Sequence, residues 1–135
     1  MRVLTAANAD RTALAEAFAA PARIIVVALC AAWCDTCGEF RTAYERMAAR
    51  RLDATFVWLD IEDDEAIVGD IDVENFPTLA IFRGTLPLHF GVSLPHETTI
   101  VRLVDALAHD AAPAAASIDD AARRLPSRLL DRPPE

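Results

Sequence analysis

Trp33-Cys34-Asp35-Thr36-Cys37 is the stretch whose reading decides the fold. Two cysteines two residues apart can close a small disulfide. An apolar run, Ile24-Ile25-Val26-Val27-Ala28-Leu29, precedes them, and a helical pattern follows. β-branched and apolar on both faces, residues 24–29 suit a buried strand in a sheet covered on both sides. From Asp35 to Arg50, Phe40, Tyr44 and Met47 recur at helical spacing, with Arg41 and Glu45 on the wet side. A thiol at such a strand-to-helix junction lies where unpaired N–H groups and the helix dipole favour a thiolate. The thiolate is the attacking species in thiol–disulfide exchange. The position suits redox chemistry better than structural stapling.

Working outward, Ala9 to Ala20 has a helical face of Ala13, Leu14, Ala17 and Phe18, which Pro21 ends. Thr55 to Leu59 is a second strand candidate. The acidic stretch Asp60 to Glu65 reads as a solvated loop and Ala66 to Asp70 as a short helix. Thr78 to Phe82 and Leu86 to Val92 are strands joined by a turn at Arg83-Gly84, and His96 to Ala108 is a helix with Ile100, Leu103, Val104 and Leu107 inward. A strand-helix-strand half followed by a hairpin and a helix implies an α/β domain, a central mixed β-sheet flanked by helices. The domain is expected over residues 1–109. Residues 110–135 read as an Ala/Pro linker and a short C-terminal extension, with one amphipathic helix over Ile118 to Leu130 interrupted at Pro126. The extension is expected to be a flexible appendage. The alternative is that Ile118, Leu125, Leu129 and Leu130 dock on the domain or on a partner.

The 135 residues suffice for one domain with a sizeable core, and 53% hydrophobic content argues against disorder over most of the chain. The net charge is −8, and all 13 basic residues are arginine. An acidic chain without a basic run is a poor match for nucleic acid or an anionic membrane. The first twenty residues lack a basic region followed by a continuous apolar core, so the expected location is cytoplasmic. Three cysteines do not make a disulfide framework; a pair plus an odd thiol points to catalysis or metal binding. Two thiolates need further ligands to hold zinc, and His89, His96 and His109 show no ligand spacing.

The motifs converge on a resemblance to thioredoxin-like proteins over roughly Thr5 to His109. Trp33-Cys34-Asp35-Thr36-Cys37 resembles that family's Trp-Cys-x-x-Cys redox motif. Phe76-Pro77-Thr78, about forty residues later, resembles its hydrophobic-Pro-Thr segment with a cis proline. Phe82-Arg83-Gly84 resembles the turn between its last two strands, and Gly91 resembles the glycine after its final strand. The resemblance implies a thioredoxin-like fold and a thiol–disulfide oxidoreductase, a reductant of protein disulfides with no bound cofactor beyond its redox-active disulfide. Cys34 would attack and Cys37, one turn deeper, would resolve the mixed disulfide. Trp33, Asp35, Thr36, Phe76, Pro77 and Thr78 would meet the substrate, an extended segment pairing beside Pro77. Implied partners are disulfide-containing proteins and a thioredoxin reductase, with neither nucleic acid nor membrane, and the chain is expected to be a monomer.

Two departures from the family pattern stand out. The family's buried aspartate and its neighbouring lysine fall at Ala28 and Trp58, which leaves Glu39 or a water to assist Cys37. Asp35-Thr36 replaces Gly-Pro, and a carboxylate beside Cys34 disfavours its thiolate. The expectation is a reductant or sluggish exchanger instead of a strong oxidase. The loss at Ala28 also motivates a rival reading, a binding or chaperone-like module docking one partner without turnover. Cys30 is expected to be a small buried filler, as free cysteine commonly is. The alternative is a third redox thiol that pairs with the site under oxidation.

Overall fold

The computed structural model describes residues 2–109, 118 and 120–131. Strands β1 (Ile24–Cys30), β2 (Ala54–Asp60), β3 (Thr78–Arg83) and β4 (Leu86–Val92) form one sheet in the order β2-β1-β3-β4. β1 runs parallel to β2 and antiparallel to β3, and β3 pairs antiparallel with β4. The parallel pair needs a crossover, which α2 (Asp35–Arg50) supplies. The sheet is mixed and flanked by helices, an α/β thioredoxin-like fold. The remaining helices are α1 (Arg11–Ala19), α3 (Glu65–Val68), α4 (Glu97–His109), α5 (Asp120–Arg123) and α6 (Leu125–Asp131). No helix among the described residues is long and apolar enough to cross a membrane.

All seven residues of β1 are buried, as expected of a strand covered on both faces. Their alternation divides the core. Ile25, Val27 and Leu29 join one cluster with Leu14 and Phe18 of α1 and Ile67 of α3. Ile24, Val26, Ala28 and Cys30 join the other, with Cys37, Phe40, Tyr44 and Met47 of α2 and Ile100 and Val104 of α4. The Tyr44 hydroxyl lies 2.9 Å from both the Val26 and Val57 carbonyl oxygens, so the α2 layer is hydrogen-bonded to β1 and β2 as well as packed on them. Burial pushes this phenol above its ordinary range, so it remains a donor.

Two regions differ from the sequence-based expectation. Before α1, the chain lies extended along β2: the Leu4 N–H donates to Phe56 O at 2.8 Å and Trp58 N–H to Leu4 O at 2.8 Å. This covers part of an edge that would otherwise expose unpaired backbone groups. Asp10 then accepts from the Arg2 guanidinium and from the Thr5 backbone N–H and hydroxyl. The C-terminal extension is not a free appendage. Leu125 and Leu129 are fully buried against the α1 face of the sheet, Ile118 is buried, and Leu130 packs against the same cluster. Arg128 donates to Ile67 O at 3.1 Å and to the Asp70 carboxylate at 2.6 Å. The helix break falls at Arg124 instead of Pro126, because proline is tolerated in the first turn of α6, where no intrahelical N–H bond is lost. The expected linker, Ala111 to Ala116, and residues 132–135 lie outside the described residues.

Candidate active site

β1 ends at Cys30, and the chain turns through Ala31, Ala32 and Trp33 into α2. The Cys34 N–H donates to Ala31 O at 3.1 Å, and Cys34 is the N-cap residue of α2 in an extended conformation, without a side-chain cap hydrogen bond. Its carbonyl accepts the first helical bond, from Gly38 N–H at 3.2 Å. Cys34 is half-buried, with a free thiol, and Cys37, three positions into the same helix, is buried.

The pairing of the sulfur atoms corrects one expectation. Cys37 is joined by a disulfide to Cys30, across a Cα–Cα distance of 5.9 Å. Cys30 is therefore not a mere filler. Strand alternation was the signal that locates it. Ala28 lies behind the second motif cysteine, and a residue two further along β1 shares its face and meets the first turn of α2.

Around these sulfurs the structure assembles much of the remaining sequence-predicted set. The Phe76–Pro77 peptide bond is cis. Pro77 and Thr78 are buried, and the Thr78 hydroxyl donates to Asn75 O at 2.7 Å, closing the bend ahead of β3. Pro77 O accepts from Ser93 N–H at 3.0 Å. Trp33 is 66% exposed, and its ring meets the Phe76 ring edge-on at 5.6 Å between centroids. Phe76 and Cys34 both pack on the cluster that holds Cys30 and Cys37, so the two segments share one apolar foundation. Asp35 and Thr36 are exposed in the first turn of α2.

The place of the family's buried acid is apolar. Ala28 is fully buried and pairs in register with Trp58 on β2. Trp58 packs on Phe40 and Tyr44, and the Arg41 guanidinium lies 4.8 Å from the centre of its ring. Glu39 is exposed on α2, away from the buried layer to which Cys37 belongs, so it does not replace the missing carboxylate. An ordered acid whose role the sequence reading missed is Asp60. Its carboxylate accepts from the N–H groups of Ala32 at 2.7 Å, Glu62 at 2.8 Å and Asp63 at 3.0 Å. Asp64 in turn accepts from Asp60 N–H at 2.8 Å. The acidic stretch is thus an ordered turn that ties the Ala31–Trp33 loop to the end of β2. An aspartate followed two and three residues later by free N–H groups is a local turn signature, legible in principle. Its bond to Ala32 is long-range and has no such signal. Among the described residues, no group of three or more His, Cys, Asp or Glu side chains is arranged to hold a metal ion.

A mixed sheet, a thiol at the start of its crossover helix and a cis proline ahead of β3 define a thioredoxin-fold domain with a thiol centre. Residues 5–105 match the family described as Thioredoxin, and the chain belongs to that family. Its members work through a redox-active disulfide with no bound cofactor. Among curated proteins, the chain is similar to thioredoxin H2-2 of Oryza sativa subsp. japonica, 31% identical over 64 residues, which are 47% of this chain and 48% of that protein. The chain therefore matches about half the length of that relative. Fasciola hepatica thioredoxin has a similar structure, with a TM-score of 0.62 and 25% identity over 78% of this chain and 98% of that one. A thioredoxin f2 in complex with ferredoxin:thioredoxin reductase shares the fold, with a TM-score of 0.64 and 17% identity over 78% of this chain and 94% of that one.

Proposed function

We propose that the chain is a protein-disulfide reductase in which Cys34 is the attacking thiol. The observation that carries this reading is the pairing of exposures. Cys34 is free and half-buried at the N-cap of α2, while Cys37 is buried one turn deeper. Cys34 stands at the start of a sixteen-residue helix, on the solvent side of the apolar cluster that holds Cys37. Cys34 attacks one sulfur of a target disulfide, and the other leaves as a thiolate. Reduced Cys37 then attacks Cys34 Sγ, releasing the second target thiolate and closing a Cys34–Cys37 bond. Trp33, Phe76 and the strand leading from Pro77 supply an apolar, hydrogen-bonding border for an extended target segment. Asp35 and Thr36 face the target from the first turn of α2.

The electron donor in this reading is a thioredoxin reductase or a small thiol pool, and the protein works as a monomer in the cytoplasm, where such pools keep thiols reduced. With Ala28 in the place of the family's buried carboxylate, that position gives Cys37 no proton acceptor and makes it a slow resolving thiol. Insulin reduction with dithiothreitol as donor tests the reading. Wild type is expected to exceed the thiol background, and Cys34→Ser to fall to it. Equal, background rates for both proteins would overturn it and leave a docking module.

A further inference from the structure

The Cys30–Cys37 bond takes the resolving cysteine away from Cys34. We infer that Cys30 is a third redox thiol, which displaces Cys34 from Cys37 so that the oxidised protein keeps a free nucleophile at its surface. The inference rests on the thiol-exchange reading above and extends the same site. It is carried by position. Cys30 and Cys37 lie on facing elements of one buried cluster, with Cα atoms 5.9 Å apart, inside the usual range of roughly 4.4–6.8 Å for disulfides. Cys30 is fully buried and Cys37 is 1% exposed, whereas Cys34 alone of the three reaches solvent.

The exchange balances without any added oxidant. A target disulfide first oxidises the reduced protein to the Cys34–Cys37 form and leaves as two thiols. Cys30 Sγ then attacks Cys37 Sγ. The Cys34–Cys37 bond breaks, the Cys30–Cys37 bond forms, Cys34 departs as a thiolate, and the proton lost by Cys30 ends on Cys34. No electron is gained or lost in this second step. The oxidising equivalents move from the surface to the interior.

Two properties follow. The oxidised protein still performs exchange once, because Cys34 can attack a second disulfide such as oxidised glutathione. That forms a Cys34–glutathione mixed disulfide and releases one glutathione thiolate. The adduct persists, since Cys37 is engaged. The buried bridge is also out of reach of external thiols, so its reduction passes through Cys34, which must attack Cys37 and return Cys30 to the thiol.

Thiol mapping tests this without requiring turnover. The full chain is oxidised with diamide, quenched in acid, alkylated with N-ethylmaleimide and mapped by mass spectrometry. Alkylation mainly at Cys34, with a Cys30–Cys37 cross-link, is the expected result. Alkylation mainly at Cys30, with a Cys34–Cys37 cross-link, overturns the inference. With oxidised glutathione, the diamide-oxidised wild type should take up one glutathione per chain at Cys34, and oxidised Cys30→Ala should take up none; equal uptake by the two overturns it. The wild-type map stands even where Cys30→Ala folds poorly. Loss of insulin reduction in both proteins would count against the reductase reading alone, because the cross-link map does not depend on it.

Discussion

The two faces of the sheet have the same strands and opposite occupations. On one face Ile25, Val27 and Leu29 meet α1 and α3, and the C-terminal helix adds Leu125 and Leu129. On the other, Val26, Ala28 and Cys30 meet α2 and α4, and the sulfurs lie at the end of that layer. The first face buries mainly branched aliphatic side chains, with Phe18 and Phe82 among them. The second substitutes small or polarisable groups, alanine and cysteine, where the crossover helix begins. The difference teaches that stability and reactivity are separated by strand parity: neighbouring residues on β1 serve different faces.

Substitutions on the two faces should therefore dissociate. Cys34→Ser should lower insulin reduction by about two orders of magnitude or more while leaving the denaturation midpoint within experimental scatter, as removal of a nucleophile at a half-exposed position does. It should also leave the Cys30–Cys37 bridge resistant to dithiothreitol that reduces wild type, read by alkylation. Leu129→Ala should do the reverse. A fully buried leucine cut to alanine costs about 2–5 kcal/mol in urea unfolding, with unchanged reduction rate per folded molecule. An equal loss of activity in Leu129→Ala would break the separation of faces.

Smaller effects sharpen it. Asp60→Ala releases three backbone N–H groups that water can reach, so unfolding should become easier by about 1 kcal/mol. Because one of them is Ala32, insulin reduction should also fall several-fold, the only one of these changes expected to move both readouts. Asp10→Asn probes the far edge, where the Arg2 hydrogen bond holds the Asp10 carboxyl below its ordinary value, helped by the Thr5 backbone N–H and hydroxyl and opposed by burial. A carboxyl lowered in the folded state adds stability above its unfolded value near 3.8, which is lost as pH falls through the lower folded value. The stability difference between wild type and Asp10→Asn should be full at neutral pH and shrink in acid below that value. A difference constant across the acid range would detach Asp10 from this linkage.

Most of the architecture was legible because it is local or periodic. β1, α2 and β4 follow from apolar patterning, and their ends fall within a residue of the expected ones. The motif at residues 33–37 and the Phe76–Pro77 segment come together at one end of the sheet, a convergence that neither segment encodes alone. What was not legible depends on distant partners. Docking of α6 needs the groove between α1 and α3, and the role of Asp60 needs Ala32 nearby in space. Cys30 was different. Its face was implied by the alternation through Ala28, but small buried residues are so commonly filler that its parity carried little weight.

The turn between β3 and β4 has a further consequence. Gly84 has a φ of +58°, and a side-chain carbon there would approach Ala20 O and Pro21 Cα at 3.2 Å, while its N–H donates to Arg23 O at 2.8 Å. That end of the sheet is sewn shut, backbone to backbone, with no room for substitution. At the opposite end the backbone is joined too, by Ser93 N–H to Pro77 O at 3.0 Å and Ile61 N–H to Cys30 O at 2.9 Å, but Trp33 and Leu94 stand in solvent there. Replacing those two exposed side chains would alter the surface at that end and leave the stitched end, which holds the frame, untouched.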